Sequence, residues 1–290
     1  MIFGAIEAGG TKFVCAVGTQ ELDIIERVSF PTTIPQETMG RVCEFFKKYE
    51  DRLASIGIGS FGPIDIQRES QTYGFITSTP KPGWQNFDFV GTLKKAFNVP
   101  VAWTTDVNAA CYGEFVAGHA KGSASGVYYT VGTGIGGGAI QEGRFIEGFN
   151  HPEMGHILVR RHPDDNYEGN CPYHKDCLEG LASGPALAKR AGCPGQDLPE
   201  DDLNWDIEAD YLAQCAYTAT LLFSPDVIIF GGGVMKKEGL LERIRQKLTD
   251  LLKGYLKHPP MTAYIVGPAL GDDAGITGCL ALACEVHLHS

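Results

Sequence analysis

A repeat constrains this chain of 290 residues more than any other feature. An apolar run, Ile2–Glu7, enters a glycine turn that carries threonine, Gly9-Gly10-Thr11-Lys12, and leaves through a second apolar run, Phe13–Val17. The same order returns at Val127–Val131, at a turn over 132–138 with five glycines and Thr133, and at a strand that begins with Ala139-Ile140. An internal duplication of this kind predicts two similar α/β halves facing each other across a cleft. Two unrelated glycine hairpins are the bland alternative.

The rest of the chain alternates in the same way. Ile24–Phe30 and Ile56–Ser60 read as strands, with a helix from Pro35 between them that places Met39, Val42, Phe45 and Phe46 at helical spacing. A Pro-rich loop and a short helix ending near Phe97 precede the strand Val101–Thr105 and a helix over 106–118. Segment 145–179 breaks the pattern. Helices then follow from about Pro185, over Ile207–Phe223 and over Leu240–Leu252, with strands at Val227–Phe230 and Ala263–Val266. A last helix runs from about Asp273. The predicted lobes are 1–118, completed by a C-terminal helix over 273–290, and 119–272.

Composition narrows the function. The 37 glycines accompany 15 Phe and 11 Tyr, too many aromatic residues for a disordered chain. A formal charge of −11 argues against a nucleic-acid groove. No run approaches the roughly 18 apolar residues of a membrane span. The N-terminal residues lack the basic and apolar regions of a secretory signal. Nine cysteines, most of them in apolar stretches, fit a reducing cytoplasm.

Three glycine turns each follow a predicted strand: 9–12, 132–138 and Gly231-Gly232-Gly233-Val234. Such turns let backbone N–H groups converge on an oxyanion, and together they point to a bound polyphosphate. Asp106 closes a strand and precedes Val107-Asn108-Ala109-Ala110. It reads either as a helix N-cap or as a carboxylate at the ligand-binding end of a sheet. In the aperiodic segment, His156 is followed by Cys171-Pro172-Tyr173-His174-Lys175-Asp176-Cys177. One histidine plus Cys-x2-His-x2-Cys suits tetrahedral Zn²⁺, with His151 and His162 as neighbours outside the pattern.

Glu7-Ala8-Gly9-Gly10-Thr11-Lys12 resembles the first phosphate motif of the ROK family of sugar kinases. The 132–138 turn resembles that family's second phosphate motif, and Gly231-Gly232-Gly233-Val234 its adenosine motif. The resemblance spans almost the whole chain in the family's order. It implies a duplicated two-lobed α/β fold, the sugar kinase/actin-like ATPase fold, with an inserted zinc-binding loop. It further implies ATP, catalytic Mg²⁺, structural Zn²⁺ and a homodimer.

Residue by residue, the resemblance makes Asp106 the catalytic base. It assigns ATP and its phosphates to Gly9, Gly10, Thr11, Lys12, Thr133, Gly134, Pro185, Gly232, Gly233, Val234, Met235, Lys236 and Lys237. For Lys236 and Lys237, a solvated start to the following helix is the other reading. Asp106, Asn108, Glu153, His156 and Glu179 become sugar ligands, and His156, Cys171, His174 and Cys177 the zinc set. The C-P-Y-H-x-x-C form resembles the bacterial fructokinase branch.

Two departures stand out. Family members usually carry aspartate where this chain has Glu7, one methylene longer. ROK glucokinases commonly place asparagine where Thr105 stands, which weakens a glucose assignment. Trp84, in Thr79-Pro80-Lys81-Pro82-Gly83-Trp84, is either core or a sugar contact. The expected activity is therefore ATP-dependent phosphorylation of a hexose, fructose to fructose 6-phosphate first. Glucose, mannose or an N-acetylated amino sugar is the alternative acceptor. A non-catalytic sugar-sensing regulator is disfavoured, because only six residues precede Glu7 and the charge is wrong for DNA.

Overall fold

The computed structural model describes residues 1–289, which form two compact units. In the first, β1 (Ile2–Ala8), β2 (Lys12–Gly18) and β3 (Ile24–Pro31) make an antiparallel meander. Helix α1 (Pro35–Lys47) carries the chain to β4 (Leu53–Ser60), which pairs parallel with β1. The short strands β5 (Phe75–Ile76) and β6 (Phe87–Asp88) pair with each other, and α2 (Phe89–Ala96) leads to β7 (Val101–Thr105), parallel to β4. The sheet order is β3-β2-β1-β4-β7. Helix α3 (Asp106–Ala117) leaves the carboxyl end of β7.

The second unit repeats this plan. Strands β8 (Ser125–Val131), β9 (Ile135–Gln141) and β10 (Arg144–Phe145) form the meander. Helices α4 (Leu178–Ala182), α5 (Gly184–Ala191) and α6 (Leu203–Phe223) lead to β11 (Val227–Gly231), parallel to β8. Helix α7 (Leu240–Leu252) and the single turn α8 (Met261–Tyr264) precede β12 (Ile265–Val266), parallel to β11. The order β10-β9-β8-β11-β12 reproduces the first sheet strand for strand. Helix α9 (Ala274–Leu288) then returns to the first unit. The predicted 273–290 helix has its final residue outside the described residues.

Local chemistry explains most of these elements. Helix α1 starts with Pro35 in its first turn, where the missing N–H costs nothing, and buries Met39, Val42, Phe45 and Phe46 along one stripe. The apolar alternation of β1 and β4 fills in at nearly every position because both strands are covered on both faces. Phe13, Phe89 and Trp84 stack beside β2, with ring centroids 5.4 Å apart for Phe13–Trp84 and 5.9 Å for Phe13–Phe89. Trp84 is fully buried and donates its indole N–H to the Thr33 carbonyl at 2.7 Å, so it is core. Fully burying a ring of this size contributes about 1.5–3 kcal/mol. None of the nine cysteines is in a disulfide. No described helix is long and apolar enough to cross a membrane.

Three local differences from the sequence reading have physical causes. Residues 135–138, read as part of the glycine turn, are the start of β9, because Gly136–Gly138 pair with Tyr128–Thr130 across the ladder. The strand expected at Ala263–Val266 is half helical turn, capped from Pro260. Residues 146–151, placed by sequence in the second lobe, pack with the first unit. Gln67 Nε2 donates to the carbonyls of Gly148 (2.6 Å) and Phe149 (3.0 Å), and the Ile64 N–H donates to His151 Nε2 at 3.1 Å.

Helix α9 meets β4 and α3 backbone to backbone. A Cβ at Gly278 would overlap the Ala109 carbonyl, one at Gly113 the Ala274 carbonyl, and one at Gly57 the Cys279 carbonyl. Gly278→Ala is expected to destabilise the protein by about 1–3 kcal/mol, since a packed backbone must separate to admit one methyl. Urea unfolding is the check, and an unchanged midpoint would show that this seam is loose.

Candidate functional site

The first unit carries Asp106. Thr105, in extended conformation, caps α3 by accepting the Asn108 N–H on Oγ1 at 3.1 Å. Asp106 is therefore not the cap. It is the first helical residue, with Oδ1 accepting the Val107 N–H at 2.9 Å and its side chain partly buried at the end of β7. Withdrawal from water pushes its carboxyl up to about 6, against the lowering effect of the backbone N–H groups. A carboxyl at 6 is about nine-tenths ionised at pH 7 and still basic enough to take a proton.

The first glycine turn belongs to the same unit. Gly9 N–H closes onto the Lys12 carbonyl at 3.0 Å, and Thr32 fastens the turn from outside by donating Oγ1–H to the Gly9 carbonyl at 2.7 Å. Gly10, Thr11 and Lys12 are exposed at its tip. Glu7, next to last in β1, lies beside the first turn of α9, where a Cβ on Gly275 would crowd its carboxylate. Asn108 is 1 % exposed, and its Nδ2 donates to Thr104 Oγ1 (3.0 Å) and Glu147 Oε1 (3.1 Å). Thr32 and Glu147 were not singled out in the sequence. Thr32 looks like any strand-end threonine, and Glu147 lies in the aperiodic segment where no spacing gives it a partner.

In the second unit, two glycine turns converge. The Gly184 N–H, opening α5 behind its Ser183 cap, donates to the Gly132 carbonyl at 2.8 Å. The Gly233 nitrogen lies 4.0 Å from a Cβ built on Gly132, and Val234 packs 3.5 Å from one built on Gly184. Gly232 has φ +95°, and a side chain there would strike the Val131 backbone. Gly132, Gly184, Gly233 and Val234 thus meet at one backbone-lined corner, with Thr133, Gly134, Pro185 and Gly232 close by along the chain. Beyond it, a 3₁₀ turn holds Val234, Met235 and Lys236, and α7 starts only at Leu240. Lys236 pairs with Asp272 at 2.8 Å, and Lys237 stands over the Trp205 ring at 5.3 Å. Glu179, in α4, accepts the Ile135 N–H at 2.9 Å and so braces the second turn.

The histidine–cysteine segment forms a four-ligand cluster. Donor atoms of His156, Cys171, His174 and Cys177 all lie within 4.8 Å of one another. His156 Nδ1 is 3.4 Å from Cys177 Sγ and 3.7 Å from Cys171 Sγ, and His174 Nδ1 is 3.7 Å from Cys171 Sγ. Tetrahedral zinc, with bonds of about 2.0–2.1 Å to nitrogen and 2.3 Å to sulfur, sets N···S edges near about 3.5 Å. The set fits that ion. Reciprocal backbone bonds between Cys171 and Lys175 shape the knuckle, with Lys175 at φ +56°. His151 and His162 are not among the four. Glu153 is exposed immediately before the turn that carries His156.

The same unit holds a buried ion network. Arg190 reaches Glu208 Oε2 at 3.0 Å and Asp165 Oδ2 at 3.7 Å, and donates to the Leu181 carbonyl at 2.6 Å. Tyr211 donates its hydroxyl to Asp165 at 2.6 Å. Burial pushes the Glu208 carboxyl up to about 8, with Arg190 opposing. The network ties the segment that carries the knuckle to α4, α5 and α6.

The ROK family model matches residues 3–286, and the chain belongs to the ROK family. It is 53% identical over 289 residues to a fructokinase of Streptococcus mutans, covering 98% of each chain. It is 50% identical over 283 residues to a fructokinase of Pediococcus pentosaceus, again covering 98% of each. The crystal structure of a ROK hexokinase from Thermus thermophilus superposes with a TM-score of 0.83 at 28% identity, over 100% of both chains. The fold is thus the α/β fold of the ROK sugar kinases.

Removing the arginine tests the buried network. Arg190→Met leaves Asp165 and Glu208 without their cation and is expected to cost about 3–5 kcal/mol. Chemical denaturation reads it, and a loss below about 1 kcal/mol would mean that these carboxyls do not depend on Arg190.

Proposed function

We propose that this protein is an ATP-dependent fructokinase that converts D-fructose to fructose 6-phosphate, with Asp106 as general base. One observation carries the chemistry: a carboxyl freed from capping, partly buried at the end of β7 and raised to about 6. The choice of fructose is supported by the fructokinases to which the chain is half identical over nearly full length. Thr105 agrees with it, because its hydroxyl is committed to capping α3. The nine free cysteines suit a cytoplasmic location.

In this reading Asp106 Oδ accepts the proton of the 6-hydroxyl as that oxygen attacks the γ-phosphorus in line. ADP departs, and the proton stays on the Asp106 carboxyl until solvent removes it. Gly9 to Lys12, Thr133, Gly134, Pro185 and Gly232 to Val234 offer backbone N–H and hydroxyl groups for phosphates and nucleotide. Met235, Lys236 and Lys237 border the last of these. Mg²⁺ supplies neutralisation of the phosphate charge, with Glu7 and Asp106 the carboxylates in the first unit that could hold it through water. Glu153 and Glu179 present acceptors for sugar hydroxyls, His156 offers the sugar its other ring nitrogen while Nδ1 faces the cysteines, and Asn108 supports the opening turn of α3. His156, Cys171, His174 and Cys177 would hold Zn²⁺ in a structural role, since protein fills all four positions.

Asp106→Asn is expected to lower kcat on fructose by at least about a hundredfold in a coupled assay across hexoses. In the wild type, kcat/KM should fall as pH drops through about 6, where Asp106 takes up its proton. A carboxyl raised by folding stabilises only while protonated, and that contribution is lost as pH rises from about 4 through 6. Asp106→Asn should therefore be more stable than wild type at pH 8. A loss of turnover below tenfold would refute base catalysis, and a stronger preference for glucose would refute the substrate.

Stripping the metal gives a second test. Chelation should abolish hexose phosphorylation while nucleotide binding partly survives, and added Zn²⁺ should restore it. Full activity of protein shown by elemental analysis to be zinc-free, with Mg²⁺ supplied, would rule the structural ion out.

A further inference from the structure

Residues 146–151 hold a carboxylate that the proposed mechanism leaves without a task. Glu147 is exposed, yet its Oε1 end reaches the buried Asn108 amide at 3.1 Å. Burial of that end raises its carboxyl above the ordinary glutamate value, with the Asn108 N–H opposing. The loop is fastened on both sides of it. Gln67 donates to the Gly148 and Phe149 carbonyls, and His151 accepts the Ile64 N–H. A flexible surface glutamate needs no such seating.

The partner residue is organised around this contact. A carboxylate can only accept, so the nitrogen of the Asn108 amide must face Glu147. Its other hydrogen goes to Thr104 Oγ1 at 3.0 Å. The cost falls on Oδ1, which is buried with no hydrogen-bond partner. Leaving a buried amide oxygen unpaired is unfavourable, and the arrangement persists because both N–H groups are engaged. Asn108 also stands two residues after Asp106, in the opening turn of α3. Glu147 is therefore anchored at the turn from which the base projects, with one oxygen held and the carboxylate otherwise open to an incoming donor.

We infer that Glu147 is a further hexose-binding residue, whose carboxylate accepts a hydrogen bond from a substrate hydroxyl and is oriented for it by Asn108. The inference rests on the hexose kinase reading. It also adds specificity, since a carboxylate fixed in one orientation favours sugars that place a hydroxyl donor against it. Thr104 acts as a positioning residue, through Asn108.

Glu147→Gln keeps the size of the side chain and removes the charged acceptor. It is expected to raise KM for fructose at least about tenfold while KM for ATP stays within twofold. In a panel of deoxyfructoses, the analogue lacking the partner hydroxyl should show its penalty with wild type and lose it with the variant. Glu147→Asp, which retains charge but withdraws it, should give an intermediate KM and serves if the glutamine variant does not fold. A fructose KM within twofold of wild type, a parallel rise in both KM values, or full penalties for every deoxy analogue would overturn the inference. If the wild type turns over no hexose, the kinase reading alone is overturned, and calorimetric titration of fructose into both proteins makes the same comparison.

Discussion

The close approach of α9 to β4 and α3 is the constraint on which the first unit depends. Helices ordinarily pack with axes about 8–10 Å apart because side chains intervene. Here Gly57, Gly113 and Gly278 remove the side chains, and carbonyls of Ala109, Ala274 and Cys279 occupy the space. The seam is reinforced by Ser55, whose hydroxyl donates to the Ala283 carbonyl at 2.6 Å, and by the Cys279 thiol on the Ile6 carbonyl at 3.2 Å. The last helix of the chain thereby fixes the helix that begins with Asp106. Any widening there would move the carboxyl relative to its own sheet, which proximity-dependent chemistry tolerates poorly.

Strands and helices with a clean period were legible in the sequence. β1, β2, β7, α7 and the duplicated meander lie where apolar spacing and turn residues put them, because local pattern and tertiary burial agree. The rest was decided by partners, near or distant, that apolar spacing does not name. Gly136–Gly138 look like a loop but are straightened by Tyr128–Thr130. Asp106 reads either as a cap or as a carboxylate at the ligand-binding end of the sheet, and Thr105, in extended conformation, takes the cap. Trp84 was undecided between core and sugar contact until Phe13, Phe89 and the Thr33 carbonyl enclosed it. Glu147 gave no local signal at all, since its meaning comes from Asn108, 39 residues earlier.

A formal charge of −11 sets a problem for any reading that puts ATP on this chain, because the long-range field repels it. The glycine turns answer it at short range. Gly132, Gly184 and Gly233 bring backbone together where side chains would block it, and Ser183 caps the helix that opens there. Fixed backbone dipoles act over a few ångströms and need no net positive surface. Lys236 and Lys237 fit the same logic, since both are engaged within their own unit by Asp272 and the Trp205 ring. Surplus glycine and surplus acid are then compatible features of one chain.

The knuckle of His156, Cys171, His174 and Cys177 shows a different source of order. Its segment has few apolar residues to bury, and Leu158 and Tyr173 are exposed on it. Four donor groups at tetrahedral spacing could supply through a metal the closure that a hydrophobic core supplies elsewhere, and Arg190 with Asp165 and Glu208 adds buried charge in the same unit. The buried ion pairs hold direction better than they add net stability, since desolvation offsets much of their energy. Directional order is what Glu153, His156 and Glu179 would need in the proposed sugar-binding role, because hydrogen bonding to a sugar discriminates by the angle and position of each partner. Glu179 shows the coupling most directly: two residues after Cys177, it reaches back to the Ile135 N–H, so the knuckle and the second glycine turn share one side chain. Loosening the segment that carries Cys177 would disturb the second glycine turn through that bond.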